Sequence, residues 1–130
     1  MSTPQILVPE GLPAKDRGNG IVTTPLVTAR RGSKSMLNGI TRIAPGAAVP
    51  LHVHNCEESV VVMSGAGTVH IGGTDHAVSP GTTSWIPPEV PHCFINAEGT
   101  EPLVIFWTYA SIDATRTVIA TSVTTRIDEE

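Results

Sequence analysis

The sequence predicts an all-β protein built as a barrel or a sandwich. Short stretches rich in Val, Ile and Thr recur along the chain. Predicted turns separate them, and these turns contain many of the 12 glycines and 11 prolines. No stretch shows a sustained helical period of apolar residues. Many short strands joined by Gly/Pro turns are typical of sandwiches and barrels, so we expect one of these architectures.

Turn residues bound each predicted strand. Ala44-Pro45-Gly46 predicts a turn before the histidine-rich strand, and Gly72-Gly73 predicts a tight hairpin. Pro25 interrupts the first strand, which favours an edge position or a bulge. The predicted strands are Val22–Thr28, Ser35–Ile43, Val49–His54, one beginning at Glu58, Thr68–Ile71, Asp75–Val78, Thr83–Ile86, His92–Ile95, Leu103–Ala110, and one or two more within Thr115–Ile127.

A length of 130 residues favours a single domain with its own core. Residues 1–20 are rich in Pro and Gly and carry little periodicity, so we expect an extended N-terminal arm, followed by one barrel domain at residues 21–130. Apolar arm residues such as Ile6 and Leu7 need cover. Either a neighbouring subunit or the chain's own barrel could supply it, and both alternatives stay open.

The charge of the chain argues against some partners. Its formal net charge is −4 and no basic block is present, so we expect neither nucleic acid nor an anionic membrane surface as a partner. The N-terminus lacks the pattern of a signal peptide, and no apolar run reaches the length of a membrane span. We therefore expect a cytoplasmic protein whose partner is a small-molecule ligand.

The stretch around His52 and His54 predicts a metal site. Side chains alternate along a strand, so these two imidazoles face the same way and can share one ion. Glu58 has matching parity, and a turn at Asn55-Cys56-Glu57 would bring it back on an antiparallel strand beside His54. His92, on a separate strand, is the best candidate for the remaining ligand.

Two motifs in this region resemble those of the cupin family. The first runs Gly46, five residues, His52-Val53-His54, three residues, Glu58, six residues, Gly65; the second runs Gly81, five residues, Pro87, then His92, three residues, Asn96. One position departs, because cupins usually have Gly where this chain has Glu89. The resemblance implies a double-stranded β-helix, or jelly-roll barrel, with His52, His54, Glu58 and His92 as ligands, and a homodimer.

Three imidazoles and one carboxylate would bind one divalent metal ion per chain, with Fe, Mn, Ni, Co and Zn all compatible. The resemblance to cupins implies dioxygenases, decarboxylases, isomerases, epimerases and lyases as activities. Our first hypothesis is a dioxygenase-like oxidoreductase acting on a small carboxylate, enediol, hydroxy or keto compound. An isomerase or lyase that uses the metal as a Lewis acid is an alternative.

Two non-catalytic alternatives also remain. Residues 52–58 look like the metal-binding segment of plant auxin-binding proteins, where a ligand carboxylate meets the metal, and this favours a carboxylate-binding protein. A structural module that has lost its chemistry is the other alternative. Four inward ligands argue against it, because a purely structural barrel has no need of them.

Pocket residues are harder to assign from the sequence. Phe94 shares the parity of His92 and is the first candidate for the wall, while Tyr109 and Arg42 could orient a substrate anion if they face inward. We expect Glu57, His70 and His76 to lie at the surface. Cys56 and Cys93 could pair with each other, although a cytosolic setting favours two reduced thiols.

Overall fold

Two six-stranded antiparallel sheets face each other in the computed structural model of the chain, which describes residues 3–97 and 99–129. No helix in this part of the chain is long and apolar enough to cross a membrane. Two short 3-10 turns lie at Pro9–Gly11 and Ile127–Glu129. The strands are β1 (Lys15–Gly18), β2 (Ile21–Pro25), β3 (Leu37–Ile43), β4 (His52–His54), β5 (Glu58–Ser64), β6 (Gly67–Ile71), β7 (Thr74–Val78), β8 (Thr83–Ile86), β9 (His92–Ile95), β10 (Leu103–Tyr109), β11 (Thr115–Val118) and β12 (Val123–Arg126).

The strand order makes the molecule a jelly roll. The first sheet has the order β1-β2-β3-β10-β5-β8 and the second has the order β12-β11-β4-β9-β6-β7. The chain passes repeatedly from one sheet to the other, so strands that are distant in sequence become neighbours. The all-β, double-stranded β-helix expected from the sequence is therefore confirmed.

The core lies between the two sheets and follows the alternation of the strands. On β3, Leu37, Thr41 and Ile43 are buried, while Arg42 is exposed. Val60 and Trp107 fill the same space from β5 and β10. Each large apolar side chain buried in this way contributes about 1.5–3 kcal/mol, which is what holds the two sheets together.

Most predicted strands lie where the sequence indicates. Thr83–Ile86 and His92–Ile95 have the predicted bounds, and the tail divides into β11 and β12. The Gly72-Gly73 hairpin joins β6 to β7, with both glycines at positive φ. Strand β4 is shorter than predicted and begins only at His52, two residues after Pro50, which lacks the N–H of a ladder hydrogen bond.

Residues 3–20 do more than extend along the surface. Lys15–Gly18 forms β1 and pairs antiparallel with β2 at the edge of the first sheet, a strand that the sequence analysis does not predict. Asn19, in the turn between the two strands, has a positive φ. Ile6, earlier in the segment, is 92% exposed.

The path between β4 and β5 corrects one expectation. The sequence predicts that Glu58 opens a strand lying beside His54. Instead, β4 belongs to the second sheet and β5 to the first, because residues 55–57 cross the barrel rather than form a hairpin. Glu58 therefore faces the histidines across the interior.

Candidate metal centre

Three buried imidazoles converge on the inner face of the second sheet. His52 and His54 point inward from β4, and the intervening Val53 is turned away. His92 lies directly opposite His52 in the antiparallel pairing of β4 with β9. Ligand atoms of the three side chains all lie within 4.8 Å of one another, so they form one group that can hold a metal ion.

Backbone carbonyls fix the orientation of each ring. His52 Nδ1 donates to the carbonyl of Pro50 at 2.6 Å, His54 Nδ1 to that of Thr115 at 2.9 Å, and His92 Nδ1 to that of Val90 at 2.9 Å. A carbonyl oxygen only accepts, so each Nδ1 carries the proton. In the neutral ring the lone pair then lies on Nε2. This is the arrangement that metal-binding histidines use.

Glu58 reaches the group from the facing sheet. Its Oε1 lies 3.0 Å from His92 Nε2 and 3.4 Å from His54 Nε2. Metal–ligand bonds of about 2.0–2.2 Å at right angles place neighbouring donors roughly 3 Å apart, which agrees with these separations. His54 Nε2 is buried and has no hydrogen-bond partner within the described part of the chain. The donor set therefore fits a divalent cation.

The protonation states also suit metal binding. Burial, followed by the charges of His92 and His54, lowers the pKa of His52 to about 3. Burial alone would raise the pKa of Glu58, but the close approach of His54 and His92 outweighs burial and lowers that pKa to about 2. At neutral pH, His52 is therefore neutral and Glu58 is ionised, as ligands must be.

A cavity of about 180 Å³ adjoins the group. Phe94 and Tyr109 line it, and the Tyr109 ring lies 4.6 Å from the ring of His54. Arg42 does not line it, because it is exposed on the outward side of β3 between Thr41 and Ile43. The lining residues are Arg17, Gly18, Asn19, Ile21, Thr23, Thr41, Ala48, Val49, Pro50, His52, Glu58, His92, Phe94, Ile105, Trp107, Tyr109 and Arg116.

Sequence reasoning missed two cations of this cavity, Arg17 and Arg116. The first lies in the segment interpreted as an arm, and the second lies in a Thr-rich tail without a distinct motif. Pairing of β11 with β4 places Arg116 directly opposite His54, and this register cannot be read from the sequence. Alternation within Thr115–Val118 is the one signal that could have suggested an inward Arg116.

The other residues singled out in the sequence lie outside the donor group. Glu57 is exposed and accepts a hydrogen bond from Trp85 Nε1 at 2.8 Å. His70 pairs with Asp75 at the partly exposed hairpin, and His76 is exposed. Both cysteines are free thiols, and burial raises the pKa of each. They therefore stay protonated at neutral pH.

Curated relatives match part of the chain in sequence. Auxin-binding protein T92 from Nicotiana tabacum is 32% identical over 75 residues, which is 58% of this chain and 37% of the tobacco protein. The chain thus matches well under half the length of the curated relatives.

Solved structures cover more of the chain at lower identity. The polyketide cyclase RemF from Streptomyces resistomycificus has a TM-score of 0.77 and 16% identity, over 96% of this chain and 86% of that one. A predicted oxalate decarboxylase from Thermotoga maritima has a TM-score of 0.74 and 19% identity, over 82% and 99%. A variant of salicylate 1,2-dioxygenase from Pseudoaminobacter salicylatoxidans, in complex with gentisate, has a TM-score of 0.65 and 21% identity, over 78% and 28%. These likenesses show a common fold.

One family model decides the assignment. Cupin_2, described as a cupin domain, matches residues 39–109, which is more than half of the chain and includes all three histidines and Glu58. The protein therefore belongs to the Cupin_2 family.

Proposed function

We propose that the chain binds one divalent metal ion through His52, His54, Glu58 and His92, and that it acts on a small oxygen-bearing molecule as a metal-dependent dioxygenase. The observation that carries this proposal is the set of three Nδ1–H···O=C bonds, which turn three Nε2 atoms toward one point beside Glu58. Such second-shell bonds orient ligands and make them more basic.

Three imidazoles and one carboxylate are compatible with Fe(II), Mn(II), Co(II), Ni(II) or Zn(II). A bound ion would supply Lewis acidity and a docking point for oxygen ligands. The chain contributes a preformed donor set, since each imidazole is already held by a backbone carbonyl. The buried side chains of Phe94, Trp107 and Tyr109 form aromatic walls beside the centre.

The size of the cavity restricts the substrate. At about 180 Å³ it is smaller than the 300–1,000 Å³ of pockets that hold drug-sized ligands. Its walls combine aromatic rings with polar groups such as Thr41, whose hydroxyl accepts from Trp107 Nε1 at 2.8 Å. A small carboxylate, enediol, or hydroxy or keto compound has the size and the polar groups that match these walls.

A second candidate function is reversible binding of a small carboxylate without turnover. The match to the tobacco auxin-binding protein favours it, because a binding function is what that relative's name states. Isomerase or lyase chemistry needs the same metal and the same cavity, and only turnover separates it from binding.

Metal content and oxygen uptake distinguish these functions. The protein would be loaded separately with Fe(II), under anaerobic conditions, and with Mn(II), Ni(II), Co(II) and Zn(II), and metal per chain measured by mass spectrometry. Oxygen consumption would then be followed with catechols, β-diketones and 2-hydroxy acids. One iron per chain with substrate-dependent oxygen uptake supports the dioxygenase. Tight carboxylate binding without turnover on any metal supports the binding protein, and failure to hold any metal contradicts the proposal.

A further inference from the structure

Two guanidinium groups share the cavity with the candidate metal ligands. Arg17 comes from β1 at the edge of the first sheet, and Arg116 comes from β11 in the second sheet. The two side chains therefore approach the cavity from opposite walls. Neither is a metal donor, because an arginine is always protonated.

The backbone explains why both side chains point inward. Arg116 is the direct cross-strand partner of His54, and such partners lie on the same face of a sheet. Arg17 lies where the pairing of β1 with β2 shifts register, between Asp16 and Gly18. A bulge of this kind re-aims a side chain, and Arg17 is partly buried although both of its neighbours are exposed.

The charges that line the cavity favour an anionic ligand. Among its described lining residues, Glu58 is the one carboxylate, against the two arginines. A divalent ion at the centre would make the lining more positive still. Guanidinium is also the side chain that best matches a carboxylate, because it donates two parallel hydrogen bonds to the two oxygens.

A second, outer cavity of about 460 Å³ strengthens the argument. It shares Arg17, Thr23 and Trp107 with the inner cavity, so the two adjoin. Its lining adds Lys15, Arg30 and Arg31, so that with Arg17 it holds four of the eight Lys and Arg residues of a chain whose net charge is −4, against one carboxylate, Asp128. Basic residues concentrated at one cavity raise the local concentration of anions and speed their arrival.

Arg31 is held in place at this outer cavity. Its Nη1 donates to the carbonyls of Leu26 at 2.7 Å and Pro25 at 3.2 Å. Two backbone acceptors fix the guanidinium without neutralising its charge. The outer cavity therefore presents an ordered positive group rather than a mobile one.

We infer that the substrate is an organic anion whose carboxylate is bound by Arg17 and Arg116, next to a second cavity in which basic residues outnumber acidic ones. This inference rests on the proposed function and names the substrate class of the same site. The arginines hold the carboxylate, and a second oxygen of the substrate is left to face the metal ligands.

Benzoate and benzamide test the inference as probes of equal shape and different charge. Trp107 lines both cavities, and Trp85 is the other tryptophan of the chain. In a Trp85→Phe background, Trp107 fluorescence would report binding to the zinc-loaded and the metal-free protein. We expect benzoate to bind at least about 10-fold more tightly than benzamide, as fits charge-assisted hydrogen bonds.

Matched variants assign the effect to the two arginines. Arg17→Gln and Arg116→Gln should each weaken benzoate binding about 10-fold and leave benzamide unchanged. Arg42→Gln, which removes the same charge from the outer face of β3, should change neither. If Arg116→Gln fails to fold, Arg17→Gln on the edge strand decides the outcome.

Several results would overturn the inference: no benzoate binding, equal affinity for the two probes, or equal losses in Arg17→Gln and Arg42→Gln. The proposed metal function fails separately. If zinc does not bind but Arg17-dependent benzoate binding persists in the metal-free chain, the anion site stands and the metal function falls. If zinc binds but benzoate binds no more tightly than benzamide, the metal function stands and the anion site falls.

Discussion

Three backbone carbonyls determine which nitrogen of each candidate ligand is available to a metal. Pro50, Val90 and Thr115 supply them, and none of the three has a side chain that would attract notice as part of a site. At the scale of single residues, the chemistry therefore depends on backbone positions as much as on the histidines.

Removing one imidazole should weaken metal binding. We expect His52→Ala or His92→Ala to reduce bound zinc by at least about 10-fold, because loss of a ligand, or even of its orienting partner, lowers metal affinity by 10–100-fold. His70→Ala is the matched control, since His70 pairs with Asp75 at the hairpin outside the donor group. Metal analysis after dialysis measures the result. Equal zinc in all three variants would refute the ligand assignment.

The buried His52 also predicts how stability depends on pH. Its pKa is lowered to about 3 in the folded metal-free protein, chiefly by burial, against an ordinary value of 6.5. As pH falls, the unfolded chain takes up this proton before the folded protein does. The contribution of neutral His52 to the free energy of unfolding is therefore fully present above about pH 6.5. It decreases as pH drops toward 3, with a slope of up to about 1.4 kcal/mol per pH unit.

Urea midpoints of the metal-free protein between pH 8 and pH 4 measure this dependence. His52→Asn should flatten the slope. An equal slope in His52→Asn and the parent protein would show that another group is responsible.

Glu89 is the position at which the sequence departs from the cupin motif, and its φ is +64°. Its N–H donates to the carbonyl of His54 at 2.8 Å, which ties this left-handed turn to β4. This backbone conformation costs a residue with a Cβ about 1 kcal/mol or more of folding free energy, and Gly adopts it without that cost.

We therefore expect Glu89→Gly to raise the free energy of unfolding by about 1 kcal/mol. Glu89→Ala is the control, because it removes the carboxylate but keeps the Cβ. Urea unfolding at neutral pH measures both. An equal gain in the two variants would assign the effect to charge rather than to the backbone.

At the scale of strands, the sequence indicates most of the elements but not their partners. Alternation and turn residues identify β8 and β9 with their correct bounds, and the cupin motifs identify the three histidines. Cross-strand register and the choice of sheet arise from long-range pairing, which a local pattern does not encode. For this reason the sequence suggests Arg42 rather than Arg116 for the pocket, and it predicts Glu58 beside His54.

The turn between β5 and β6 shows how tightly one such connection is constrained. Gly65 has a φ of +80°, and a Cβ added there would lie 2.2 Å from the carbonyl oxygen of Pro102. We expect Gly65→Ala to destabilise the protein by more than about 2 kcal/mol, since strain and a backbone clash act together.

Gly11→Ala is the control for this turn, because nothing lies within 4 Å of a Cβ added at Gly11 and its φ is not positive. Thermal and urea unfolding compare the two variants. Similar stabilities would mean that the β5–β6 turn can rearrange to accept a side chain.

At the scale of the whole molecule, the outer face of the first sheet predicts how copies associate. Phe106 is only partly buried there and lies between Ile40 and Val61 on the adjacent strands. A group of apolar side chains on an outer sheet face favours pairing with a second copy, as the homodimer expected from the sequence requires.

We expect a dimeric mass by light scattering at micromolar concentration, and a monomeric mass for Phe106→Glu, because a carboxylate buried in an apolar interface is costly. Thr74→Glu, on the exposed strand β7 of the other sheet, is the control and should stay dimeric. A monomeric parent protein would contradict the prediction.

The placement of the four donors has a mechanical consequence. His52, His54 and His92 belong to one sheet and Glu58 belongs to the other. An ion bound by all four would link the two sheets, so its binding energy would oppose their separation. Chelation would then loosen the barrel as a whole, and the rigidity of the fold would vary with the metal supply around it.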